Sequence, residues 1–190
     1  MRFDLIKHRE QFPHSCVFEQ DERIYGIWMI GNYYKRTADY YGSYPPSYLK
    51  RVLSMLPDID ANNILHLFSG KVNSPGTTFD VKPELHPDLI GDAHKISEYF
   101  PPNRFDLVLA DPPYTKHDAS IYGTTLPTTW KVMRGLYEIV KPGGLVVWLC
   151  TSPPLYRKEM WNLKGLIGMH VGTNKVFRAV VFMESLKEWE

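Results

Sequence analysis

The chain has 190 residues and a formal net charge of +1, so it is about one domain long and carries no global basic field to draw in a polyanion. Its two cysteines, Cys16 and Cys150, lie far apart, which excludes a disulfide framework, and the loose grouping of His8, His14 and Cys16 fits no metal-ligand spacing, so no metal is expected. No apolar run is long enough to span a membrane and no signal-peptide apolar region stands at the start, so the chain reads as soluble and cytoplasmic.

Residues 1–60 are rich in Tyr and charge with little regular periodicity, and read as an amino-terminal extension to a catalytic core over 61–190 within a single domain. Trp28, Asn32, Tyr33, Tyr34, Lys35 and Arg36 suit either a stacking-plus-phosphate patch or an aromatic packing segment. The Tyr40–Leu49 stretch runs into a helix that ends near Leu56-Pro57.

From Asn63 onward, short apolar runs alternate with helical segments. Ile64–Phe68 predicts a first strand, Thr77–Val81 a second, and Asp88–Asp92 a weak third followed by a short helix over His94–Tyr99. Phe105–Ala110 predicts a buried fourth strand. Pro127 opens a helix with Trp130, Met133, Leu136, Tyr137 and Val140 on one face, and Pro142-Gly143-Gly144 is its expected end. Leu145–Leu149 follows as a fifth strand. A short helix over Tyr156–Trp161 precedes a hairpin of two strands, about 163–171 and 176–183, joined by Gly172-Thr173-Asn174-Lys175. Such alternation implies an open, mostly parallel sheet with helices on both faces, whose ligands sit outside the carboxyl ends of the strands.

At one such end stands Asp111-Pro112-Pro113-Tyr114. The acid can accept a hydrogen bond from an amine, and the Pro112 carbonyl can accept a second. Proline rings fix the geometry of both acceptors, and the Tyr114 ring offers a stacking face. A plain turn after a strand would use the same letters. The surrounding order of signals decides between the two. Leu65-His66-Leu67-Phe68-Ser69-Gly70 is an apolar strand ending in a glycine turn, Asp80 is a carboxylate at the end of the second strand, and Gly91-Asp92-Ala93 follows the third. The same Asp92 also suits a helix cap.

Together these residues resemble the class I S-adenosylmethionine-dependent amino-methyltransferases of the DNA adenine-N6/cytosine-N4 type, over about residues 40–184. The short Phe-Ser-Gly connection and Tyr122-Gly123-Thr124 resemble small phage- or prophage-type members. The resemblance implies a Rossmann-like seven-stranded, mostly parallel α/β sheet with a C-terminal antiparallel hairpin. It implies S-adenosyl-L-methionine as cofactor, held by Tyr41, Gly42, Tyr44, Pro45, His66, Phe68, Ser69, Gly70, Lys71, Asp80, Val81, Asp92 and Ala93. Lys71 follows Gly70 where the family carries a second glycine in its turn, and offers a substitute charge.

Asp111, Pro112, Pro113 and Tyr114 then form the catalytic motif. Tyr114, Lys116, Tyr122, Arg157 and Lys158 are the implied substrate contacts, with the loop His117–Leu126 closing over the base about Gly123. The reaction implied is methyl transfer to an exocyclic base amine, adenine N6 in DNA ahead of RNA. A homodimer or partner subunit would supply target recognition. An RNA base amino-methyltransferase acting on rRNA or tRNA and a non-catalytic cofactor- or nucleic-acid-binding module are the alternatives. Ser152-Pro153-Pro154-Leu155-Tyr156 echoes a cytosine-type variant of the motif, but Leu155 breaks its spacing, so it reads as a loop.

Overall fold

A computed structural model of the chain describes residues 2–31, 44, 45, 47–172 and 177–189. The amino-terminal stretch begins with α1 (Leu5–Gln11), then β1 (Cys16–Gln20) and β2 (Arg23–Ile30), and reaches α2 (Tyr48–Ser54). The central strands are β3 (Ile64–Leu67), β4 (Thr77–Asp80), β5 (Leu89–Ile90) and β6 (Phe105–Ala110). Helices α3 (Lys116–Ile121) and α4 (Thr129–Ile139) lead to β7 (Val140–Cys150), β8 (Trp161–Val171) and β9 (Arg178–Ser185).

The nine strands among the described residues form one sheet in the order β1-β2-β8-β9-β7-β6-β3-β4-β5. The β3–β9 part is the expected parallel array, with β9 antiparallel to both β7 and β8. The other two strands correct the expectation of seven. β1 and β2 form an antiparallel hairpin, and β2 pairs in parallel with β8, so the amino-terminal stretch extends the sheet. Its core side shows why: Val17, Ile24, Trp28 and Ile30 are buried with Ile167, Met169 and Val171 of β8.

Helices cover both faces. On one, α2 packs Tyr48 and Val52 over Leu107, Leu109, Val147 and Phe182. On the other, Val132, Met133, Leu136 and Ile139 of α4, with Ile96 from the 3₁₀ turn Ala93–Glu98, cover Val108, Ala110, Val146 and Val181. The α4 stripe is rotated from the expected one, leaving Trp130 48% exposed and Tyr137 half-buried. The helix ends at Ile139, ahead of Pro142-Gly143-Gly144, which lie within β7. Residues 156–160 form no helix, and Trp161 already pairs with Ser185. Between β3 and β4 run nine residues (68–76) without a helix, short of the dozen or so that usually carry a crossover.

His8 ties α1 to α2. Its Nδ1 lies 2.7 Å from Ser54 Oγ, whose own proton goes to the Arg51 carbonyl at 2.8 Å, so Nδ1–H is the donor. Nε2 then accepts from Ser15 Oγ at 2.8 Å. Burial, reinforced by the Arg51 charge, pushes the imidazole down to about 4. Because the unfolded chain binds this proton more readily, His8 contributes stability that is complete above pH 6.5 and lost as pH falls toward 4. His8→Gln should flatten that slope, removing roughly 3 kcal/mol of acid sensitivity in urea unfolding across the window. Parallel slopes for the two proteins would contradict the assignment.

Candidate active site

The apolar β6 run ends in Asp111, whose amide stays weakly on the β3 ladder through the Leu67 carbonyl at 3.5 Å. Side chains alternate along a strand, so Asp111 follows Leu107 and Leu109 onto the α2 face. Pro112 is buried beneath it. Tyr114 curls back, and its hydroxyl donates to Asp111 Oδ1 at 2.5 Å. The Arg178 guanidinium stands over the Tyr114 ring, 5.0 Å from its centroid.

Beneath this pair lie two more tyrosines. The Tyr44 hydroxyl donates to the Leu109 carbonyl at 3.1 Å, and its ring stacks on Tyr48 at 5.4 Å. The Tyr44 and His66 rings are 6.0 Å apart. The Tyr48 hydroxyl and His66 Nδ1 are buried with no hydrogen-bond partner among the described residues. His66 Nε2 faces the Pro75 carbonyl at 3.1 Å, and burial lowers the imidazole pKa, keeping the ring neutral.

Burial sets the electrostatics. It pushes the Asp111 carboxyl up to about 6, against the opposing pull of the Tyr114 hydrogen bond and the Arg178 charge. Tyr44, Tyr48 and Tyr114 are all raised above the ordinary phenol value, first by burial and also by Asp111. Cys150, at the end of β7, is pushed up to about 12 by burial and then by Asp111. Asp111 is therefore an acceptor poised near neutrality among groups that stay protonated.

The neighbouring strand ends form a second half of the site. Phe68 adopts φ +57°, a left-handed conformation that is strained for a bulky residue, and Gly70 follows at φ +54°. This sharp turn brings the Gly70 amide to Asp80 Oδ2 at 3.0 Å, while the Lys82 amide donates to Oδ1 at 3.1 Å. The carboxylate keeps lone pairs for further donors. Ser69 Oγ, within this turn, is buried without a hydrogen-bond partner among the described residues. Val81 and Ile90, which follow and pair with Asp80, are 48% and 51% exposed and offer an apolar surface at the strand ends. Gly91 fits closely there, since a Cβ would come within 2.5 Å of Tyr99. A cleft of about 310 Å³ opens beside the turn, lined by Gly70, Lys71, Val72, Asn73, Thr78, Leu85, His86 and Pro87.

The expected residues are only partly gathered. Tyr44, Pro45, His66, Phe68, Ser69, Gly70, Asp80 and Asp111–Tyr114 lie along one edge of the sheet; Tyr41 and Gly42, like Asn32–Arg36, lie outside the described residues. Trp28 is fully buried core, not part of a surface patch. Asp92 caps the 3₁₀ turn, accepting from the His94 amide at 2.9 Å, and Ala93 is buried behind it.

Lys116 opens α3, an ordered helix where a plain loop was expected; Thr115 and Asp118 cap it reciprocally. Tyr122 closes that helix, and Gly123 at φ +62° comes near Lys82, beside Asp80. Arg157 and Lys158 lie near Met160 and Trp161, beside Ser185 and Leu186, at the edge of the sheet opposite Asp111.

Arg178 and Tyr48 were missed. The signal for Arg178 was present: an antiparallel last strand must begin at the edge where the parallel strands end.

No protein-family model and no curated protein sequence matches the chain. Among solved structures, TrmN from Thermus thermophilus aligns with a TM-score of 0.50 and 18% identity, over 65% of this chain and 43% of its own. The aminoglycoside resistance methyltransferase NpmB1 aligns at a TM-score of 0.32 and 16% identity, over 48% of this chain and 56% of its own. A probable spermidine synthase from Corynebacterium glutamicum ATCC 13032 aligns at 0.39 and 16% identity, over 69% and 59%. The chain thus spans about half the length of these proteins. What it shares with the first of them is the fold, a Rossmann-like open α/β sheet.

Proposed function

We propose that this chain is an S-adenosylmethionine-dependent methyltransferase acting on an exocyclic amine of a nucleic-acid base, with adenine N6 in DNA as the leading target. The observation that carries the reading is the Asp111 carboxylate at the end of β6, already accepting one hydrogen bond from Tyr114. An amine group would take the place of that hydroxyl at Oδ1, and the Pro112 carbonyl would accept its second proton. Held by both, the nitrogen is drawn toward tetrahedral geometry and its lone pair becomes more nucleophilic. Tyr114 offers its ring to the base. With an acidity near 6, Asp111 can also take the proton that the amine gives up.

The residues fit the cofactor. Asp80 has acceptor capacity for ribose hydroxyls, Val81 and Ile90 offer an apolar surface for adenine, and the orphaned Ser69 hydroxyl and Gly70 border the turn that would face the methionine portion. When bound, S-adenosylmethionine supplies an electrophilic methyl group. Asp80→Ala should weaken it roughly 10–100-fold, by removing a charged acceptor and freeing the Gly70 and Lys82 amides. Calorimetric titration measures this, and an unchanged affinity would remove Asp80 from the site.

The test of the function is transfer of labelled methyl to duplex DNA, single-stranded DNA, RNA and bulk protein, beside an Asp111→Ala control. Label in DNA that vanishes in the variant supports the reading. Label confined to RNA redirects it to an RNA base. No label anywhere and no cofactor binding would leave a non-catalytic module.

A further inference from the structure

We propose that Arg178 is a positioning residue for Asp111 and Tyr114: its guanidinium holds the Tyr114 ring by one face and supplies the counter-charge to the Asp111 carboxylate. The inference rests on the reading of Asp111 as the amine acceptor. Because β9 runs antiparallel to β7, its first residue lies beside the carboxyl ends of β6 and β7. Arg178 is partly buried there, 5.0 Å from the Tyr114 centroid. Its Nε is enclosed and has no hydrogen-bond partner among the described residues. An enclosed, unused N–H on a cation is costly unless a nearby group compensates. Two compensations are at hand: the Tyr114 ring face, and the charge of Asp111, which Arg178 stabilises.

The other groups whose titration Asp111 shifts are neutral at physiological pH. Tyr114 comes from its own loop, Tyr44 and Tyr48 from the segment entering α2, and Cys150 from the end of β7; burial and Asp111 raise all four. His66 of β3 stands beyond Tyr44 and is held neutral. Arg178 is thus the cation that acts on Asp111 among the described residues. With the guanidinium over the Tyr114 ring, Arg178 sets both the charge of the acceptor and the placement of the tyrosine that donates to it.

The test follows the carboxyl carbon of Asp111 by NMR as pH is varied. Arg178→Gln should raise the Asp111 midpoint by about one pH unit, a tenfold gain in proton affinity, and Arg178→Lys should leave it within about 0.3. A Gln variant that melts like the unmodified protein with an unmoved midpoint overturns the proposal. A second measurement needs no variant. The Arg178 Nε–H resonance of the unmodified protein should shift with the same midpoint as Asp111, and a signal blind to that titration overturns the proposal as well.

Neither readout requires cofactor or substrate, so both stand apart from the success of methyl transfer. Where transfer is observed, the acidic limb of the kcat profile in Arg178→Gln should move up with the Asp111 midpoint, and Lys should restore it.

Discussion

Asp111→Asn is expected to lower methyl transfer on the order of 10³-fold while making the folded protein more stable at neutral pH. The two effects have one cause. Burial raises the Asp111 carboxyl from 3.8 to about 6, so the folded state binds its proton more tightly than the unfolded chain does. Protonation therefore favours the folded state, and this contribution declines as pH rises from 3.8 through 6.

At pH 7 the ionised group is held at a cost of about 3 kcal/mol, which the neutral amide avoids while still accepting from Tyr114. The Asn side chain loses the charge that would accept the amine's proton. Urea unfolding and a transfer assay on the same preparations measure both. A variant that is both active and less stable would contradict the electrostatic account. The variant should also be more acid-sensitive than the unmodified protein, because the Asp111 slope opposes that of His8 over much of the same window.

Trp28→Ala is expected to cost about 3–5 kcal/mol, lowering the melting temperature by roughly 6–20 °C. Trp28 is fully buried on β2 against β8 and α1, 6.0 Å from the His8 ring, and the Arg51 guanidinium lies 5.9 Å away. The cavity would open where the amino-terminal hairpin joins the rest of the sheet. One cooperative transition at lower temperature supports a hairpin that is part of the main core. A melting temperature within about 2 °C of the unmodified protein would mean that the hairpin packs independently.

The centre of the fold was legible because its signals are local. Phe105–Ala110 is an uninterrupted apolar run, and the motif that follows it places an acceptor at a strand end. The antiparallel last strand was likewise visible as a hairpin pattern. The β1–β2 hairpin was not. Its turn, Asp21-Glu22, takes positive φ at both positions, 50° and 58°, without the glycine or asparagine that normally announces such a turn. Along β2, Ile27 and Met29 on the outer face are 51% and 68% exposed, so apolar residues occupy both faces and the alternation is lost.

Pro142-Gly143-Gly144 suggested a helix end because both residue types break helices. Here Gly143 sits at φ +69° inside β7, close to a register shift against β6. Arg178 reaches Asp111 only through sheet order, which pairs strands distant in sequence, and Tyr48 only through the packing of α2 on the sheet face.

The most direct test of the central claim is nucleoside analysis by mass spectrometry after incubation with S-adenosylmethionine carrying a deuterated methyl group. The account predicts the heavy methyl on an exocyclic amine of one base, with adenine N6 first, and its absence with Asp111→Asn. A heavy methyl on a ribose hydroxyl or a ring carbon, or on the same amine with Asp111→Asn fully active, would contradict it.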